Sequence, residues 1–151
     1  MEWKIKKFED LSTKELYSIL ALRNKVFVIE QECIYQDCDY KDLEAYHLFC
    51  TDDNSTVAYL RILKKGVSYD EVSIGRVVVD EKYRGRDLGR KAMKKALEFI
   101  NNTYGESPIR ISAQVYIKDF YKSLGFIEVS NAYLEDDIPH IEMLRNIKYN
   151  N

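Results

Sequence analysis

The run Val77-Val78-Val79 passes through Asp80-Glu81-Lys82-Tyr83 into Arg84-Gly85-Arg86-Asp87-Leu88-Gly89-Arg90, and no other stretch constrains the fold as much. Consecutive β-branched residues closing the apolar stretch Val72 to Val79 predict a strand buried on both faces. Leu88, Ala92, Met93, Ala96, Leu97 and Ile100 then recur at helical spacing, so a helix begins at the turn and ends near Asn101-Asn102. A doubly buried strand feeding an amphipathic helix needs that helix on one face and further cover on the other. The expectation is an α/β or α+β three-layer domain.

The rest of the chain agrees. Trp3 and Ile5 alternate with Lys4 and Lys6, which suits a first strand with one dry face. Ser12-Thr13-Lys14-Glu15 reads as a capping box, opening a helix that carries Leu16, Ile19, Leu20, Val26 and Phe27 and ends about there. Val28 to Tyr46 has no clean period and holds Glu32, Asp37, Asp39, Asp42 and Glu44, so a long loop with at most a short helix is expected. His47 to Cys50 and Val57 to Leu63 read as strands joined by the turn Asp52 to Ser55. Ile109 to Ala113 is a short strand, Phe120 to Gly125 a short helix stopped by glycine, and Phe126 to Val129 extended. A last strand follows from the alternation of Ile141, Met143, Arg145, Ile147 and Tyr149 with polar neighbours.

Composition excludes several classes of function. The chain has 151 residues, 46% hydrophobic and 32% charged, with no repeat or linker-like stretch, so one domain over 1–151 is expected. Net charge is −2 with a pI near 5.8, which argues against nucleic acid as the main partner. No apolar run has membrane-spanning length, and Met1-Glu2-Trp3-Lys4 opens no signal-peptide pattern. Three cysteines are too few for a disulfide scaffold, so a soluble cytoplasmic protein is expected. Cys33, Cys38, Cys50 and His47 lack the paired spacing of a zinc site, and no metal is expected.

The strand–turn–helix junction also carries chemistry. Unpaired N–H groups at the helix start, the helix dipole, and Arg84, Arg86 and Arg90 together suit an anion such as a pyrophosphate. Gly85 and Gly89 allow backbone to approach backbone or ligand closely. The stretch is neither a Walker loop nor the Rossmann fingerprint. Read on these residues alone, it is an anion site or a tight connection with solvated arginines.

Arg84-Gly85-Arg86-Asp87-Leu88-Gly89 resembles the acetyl-CoA pyrophosphate loop of the GNAT acetyltransferase superfamily, and Phe120-Tyr121-Lys122-Ser123-Leu124-Gly125-Phe126 resembles its later FYxxxGF segment. Further residues are similar to the ElaA branch: Leu22-Arg23, Val26 to Gln31, Tyr35-Gln36-Asp37, Asp39, and Glu135 to Ile141. Asp87 departs from the pattern, standing where the loop usually has glycine, and is expected to point to solvent. The resemblance implies a mixed central sheet splayed between Val72–Val79 and Ile109–Ala113, with helices on both faces and acetyl-CoA as co-substrate. It further implies that backbone groups of Val77 and Val79 pair with the pantetheine arm, that an N–H near Val78 meets the oxyanion, and that Arg84 to Arg90 hold the pyrophosphate. Leu88, Gln114 and Phe120 fall with the cofactor-binding residues, and Tyr121 matches the tyrosine that protonates the departing thiolate.

Duller readings stand beside these. His47, on a strand, is expected to be packed. His140 follows Pro139 in an acidic loop and is either a surface group or a residue touching substrate or its proton. Glu30 is either a solvated helix-end carboxylate or a general base or acceptor anchor. The acidic residues from Glu30 to Asp42 and from Glu135 to Asp137 favour a cationic acceptor. The expected activity is transfer of the acetyl group of acetyl-CoA to a small-molecule or peptide amine by direct attack in a ternary complex. The alternative is a GNAT-fold module that binds or senses acyl-CoA without transfer. The acceptor and the oligomeric state, a homodimer included, stay open.

Overall fold

Strand, helix, three strands, helix, strand, short helix and three strands follow one another along residues 1–146, which the computed structural model describes. β1 (Glu2–Lys7), β2 (Tyr46–Asp52), β3 (Ser55–Leu63) and β4 (Val72–Val79) form a consecutive antiparallel run. β5 (Ile109–Gln114) joins β4 in parallel, and β8 (Ile138–Arg145) joins β5 antiparallel. β8 also pairs with β6 (Ile127–Glu128) and β7 (Tyr133–Glu135). The parallel step requires a crossover, and α2 (Leu88–Tyr104) supplies it.

Helices cover both faces, and strand alternation explains how. Leu48, Leu60 and Ile62 pack with Ala92, Met93, Ala96 and Ile100 of α2, whereas Phe49, Tyr59 and Val78 pack with Ile19 and Leu22 of α1 (Thr13–Arg23). The helix α3 (Lys118–Lys122) brings Tyr121 to the α2 side, where Leu124 and Phe126 join the same core. Continuous apolar strands are what two dry faces demand. Val77 and Val79 are only half-buried, however, because β5 turns away from β4 beside them.

The capping box is formed: Glu15 N–H donates to Ser12 Oγ at 3.0 Å, and Ser12 N–H to Glu15 Oε1 at 2.9 Å. The helix it opens does not stop near Phe27 but widens into a π-helical stretch, Asn24–Glu30. Other expectations are corrected too. Ile5 is 37% exposed, because β1 is the sheet edge, and Lys4 and Lys6 are instead drawn to Glu15 at 3.2 and 3.0 Å. The expected loop around His140 is a hairpin: Asp136 (φ 50°) and Asp137 (φ 63°) join β7 to β8, and His140 sits within β8. Ile147 and Tyr149 lie outside the described residues.

Candidate active site

β4 and β5 pair only at Val72 with Ile109 and Ser73 with Arg110, then diverge. Each keeps its other partner, β4 staying on β3 as far as Val79 and β5 on β8 as far as Gln114 opposite His140. A bulge helps: the β3–β4 register shifts between Tyr59 and Arg61, and Arg76 takes φ 54°. The result is a cleft of about 820 Å³ that narrows to Ser73 and widens toward Val79. The sheet is splayed where the resemblance implied.

One bond shows which backbone groups face this cleft. Asp80 N–H donates to the Val57 carbonyl at 2.8 Å, so by strand alternation Val78 bonds to β3, while the Val77 carbonyl and both Val79 groups turn to the cleft. From that side Arg84 Nε donates to the Val79 carbonyl at 3.2 Å. Near Val78, the backbone N–H that faces the cleft is that of Val79, not of Val78 itself. The Val78 N–H belongs to the β3 ladder, and the Val78 side chain packs with Ile19, Val26 and Tyr59.

α2 begins at the wide end. Its first intrahelical bond joins Lys91 N–H to the Asp87 carbonyl at 3.1 Å, so the N–H groups of Leu88, Gly89 and Arg90 precede the ladder. Gly85 has φ 81°, a turn that a side chain would strain. Asp87 points outward, 65% exposed, and lies 3.5 Å from Arg90. A Cβ on Gly89 would lie 3.8 Å from both Phe120 and Val79, an ordinary contact. Protein packing alone thus leaves room for more than glycine at that position, and the close approach is left to a ligand.

The arginines differ from the expected set of free anion donors. Arg84 forms a two-point pair with Glu30, at 2.8 and 3.1 Å. Arg86 lies over the Tyr83 ring at 4.9 Å; Arg90 lies over the Phe120 ring at 5.2 Å and donates to Ser123 Oγ at 2.9 Å. The anion-binding capacity of this end rests first on backbone N–H groups and the helix dipole.

Tyr121 is buried, wedged edge-on between Phe120 and Phe126, and lines the cleft. Burial pushes its phenol well above the usual tyrosine range, so it keeps its proton. Gln114 faces Gln31 across the cleft, their amides 3.4 to 3.5 Å apart. His140 is buried and stacked on Tyr133. Its Nδ1 lies 2.7 Å from the Ile138 carbonyl, which can only accept, so Nδ1 carries a proton and Nε2 lies 3.4 Å from Glu135. His47 is packed, its nitrogens bonded to Tyr59 Oη at 2.7 Å and the Asp42 carbonyl at 2.9 Å, and burial lowers its pKa.

The acidic segment between α1 and β2 is the largest correction. Arg23, wholly buried, binds Asp37 and Asp42, each at 2.8 Å. Arg61 binds Asp42 at 2.9 Å and Asp39 at 2.6 Å, and Arg76 binds Asp37 at 2.8 Å and Asp39 at 3.4 Å. Three arginines and three aspartates therefore alternate in a closed ring of zero net charge. The aspartates are not available to attract a cation. Arg61 and Arg76 belong to no motif in the sequence. The available signal was arginine inside the apolar runs of β3 and β4, and Arg23 between Leu22 and Val26 on the buried side of its helix.

A family model described as an acetyltransferase (GNAT) domain matches residues 9–146. Protein ElaA of Escherichia coli is 42% identical over 149 residues, 97% of each chain. Its crystal structure superposes with a TM-score of 0.90, covering 97% of this chain and 100% of that one. The crystal structure of an acyl-CoA N-acyltransferase from Pseudomonas aeruginosa gives 0.91 at 42% identity, covering 95% and 98%. An aminoglycoside 6'-N-acetyltransferase complexed with coenzyme A shares the fold at 15% identity, with a TM-score of 0.69 over 95% and 97% of the chains.

Proposed function

This chain belongs to the GNAT acetyltransferase family, and from that premise we propose that it transfers the acetyl group of acetyl-CoA to an amine by direct attack in a ternary complex. The observation that carries the reading is the divergence of β4 from β5 beside the start of α2, which leaves strand polar groups facing a cleft and sets the unpaired N–H groups of the helix next to its Val79 end. An extended chain with amides and a pyrophosphate fits that pair of features. The Val77 carbonyl and the Val79 N–H face the pantetheine arm like a missing strand. N–H groups from Arg86 to Arg90 meet the pyrophosphate, with Gly85 setting the turn and Gly89 leaving room. Bound there, acetyl-CoA supplies an activated acyl group on a thiol leaving group.

Tyr121 holds a proton for the departing thiolate. The dry ring contacts around it fix the hydroxyl's place. His140 Nε2 takes the amine's proton, and Glu135 beside it offsets the charge that the proton brings. Glu30 acts through Arg84, which it fixes against the Val79 carbonyl, rather than as a free base. Juxtaposition of thioester and amine supplies much of the rate. We take the chain as one catalytic domain of the cytoplasm, where CoA thioesters and free thiols coexist.

The test is release of CoA thiol from acetyl-CoA over a panel of amines, with acetyl-CoA binding followed by calorimetry. Saturable binding and amine-dependent thiol release are expected. Binding without release from any amine would leave an acyl-CoA-sensing module, and no binding would overturn the assignment.

A further inference from the structure

The charged groups lining the cleft divide unevenly once their partners are counted. Glu30 is paired with Arg84, and Asp39, Arg61 and Arg76 belong to the closed ring. Among the described residues this leaves Lys41 on one side, and Asp136 with the Glu135–His140 pair on the hairpin side. Among the described residues no carboxylate lies within ion-pair distance of Lys41. Its ammonium donates to Ser68 Oγ at 2.8 Å, and its backbone N–H donates to Asp39 of the ring at 3.1 Å. Ser68 and Ser73 line the same wall, and Ser73 is the last residue paired before the strands part. Arg61, also on this wall, has a buried Nε without a hydrogen-bond partner. The narrow end of the cleft is therefore donor-rich and singly positive, while the hairpin end is acidic and holds the imidazole.

Resting on the acetyltransferase reading, we propose that the narrow end is an acceptor subsite for a carboxylate, with Lys41 as its ligand, so that the acceptor is an amino acid-like zwitterion. A bipolar cleft matches a molecule with an amine at one end and an anion at the other, and the amine falls on the His140 side where its proton must go. One unpaired ammonium matches a monoanion. A phosphate dianion would call for the guanidinium forks that the ring already occupies. The ring's part is positional: it holds residues 37–42, and with them Lys41, against β3 and β4.

The experiment compares ω-amino acids from glycine to 6-aminohexanoate with their carboxamides and aminoalkylphosphonates, using the full chain and acetyl-CoA. At one chain length or more, the carboxylate should exceed its carboxamide by about tenfold or more in kcat/KM, the size of one charge-assisted hydrogen bond. Lys41→Met should erase that preference through KM, leaving the acetyl-CoA affinity unchanged, and Lys41→Arg should restore most of it. Equal acid and amide at every length, a preference surviving Lys41→Met, or phosphonate preferred over carboxylate would each overturn the subsite while leaving the transferase reading intact. Failure of every amine to release thiol would overturn the transferase reading itself, and the acceptor subsite with it.

Discussion

Tyr121 owes its proposed role to where its ring is packed. Tyr121→Phe keeps the edge-on contacts to Phe120 and Phe126 and removes one hydroxyl from the cleft wall. Melting temperature and acetyl-CoA affinity should stay near wild type, while kcat falls by about tenfold or more, the usual loss of a positioned acid. Wild-type turnover in this variant would assign protonation of the thiolate to another donor. His140 is tested by its kinetics. With Nδ1 tied to the Ile138 carbonyl, only Nε2 can exchange a proton with substrate, so His140→Ala should lower kcat with a working amine by about tenfold or more while acetyl-CoA affinity stays near wild type. His140→Gln, which keeps a polar group but cannot act as the base, should lose as much. Wild-type kcat in both variants would place the base elsewhere.

At the scale of elements, α1 and the start of α2 make separate predictions. The Ser12–Glu15 box satisfies N–H groups at the first turn, so Ser12→Ala should cost about 1 kcal/mol in urea unfolding. Burial opposes ionisation of Glu15, yet the Ser12 N–H, Lys6 and Lys4 together lower its pKa to about 2. At the α2 turn, Gly89→Ala should leave the fold intact, since its Cβ meets Phe120 and Val79 only at 3.8 Å. The thermal shift produced by acetyl-CoA should nonetheless shrink in Gly89→Ala and vanish in Gly89→Glu, which adds bulk and negative charge at the anion site. An unchanged shift in a folded Gly89→Glu protein would show that this turn is not the pyrophosphate site.

Across the whole molecule, the Arg–Asp ring ties α1, the following segment, β3 and β4 into one wall. Breaking a buried ring leaves an uncompensated charge, so Arg23→Met should destabilise the protein by about 3 kcal/mol or more. Burial opposes ionisation of Asp39 and Asp42, but the paired arginines hold Asp39 well below the usual carboxylate range and lower Asp42 as well. Their folded values thus lie below the unfolded value near 4, so this stabilisation is present above about pH 4 and lost as pH falls below it. His47 has the same sign: its folded pKa is depressed, so its contribution is lost as pH falls from about 6.5. Urea midpoints should therefore decline from neutral pH in a shallow stage and then a steep one. A midpoint flat between pH 7 and 3 would contradict both assignments.

What the sequence determined by itself is what short-range physics controls. The capping box, the Asp52–Ser55 turn, the α2 stripe and the junction from Val79 to Gly89 each depend on neighbours a few residues apart, and each stands where the spacing put it. Tertiary structure alone decided the rest. A carboxylate's partner lies wherever the chain returns, so Asp37 and Asp42 read as a solvated acidic segment until Arg23, Arg61 and Arg76 arrive from three other elements. The direction of the Val78 N–H depended on the partner strand's register, and the hairpin at Asp136-Asp137 on left-handed turns that aspartate tolerates but does not announce. Lys41 belongs with these: its lack of a carboxylate has meaning only because Asp37, Asp39 and Asp42 of its own segment are already bound.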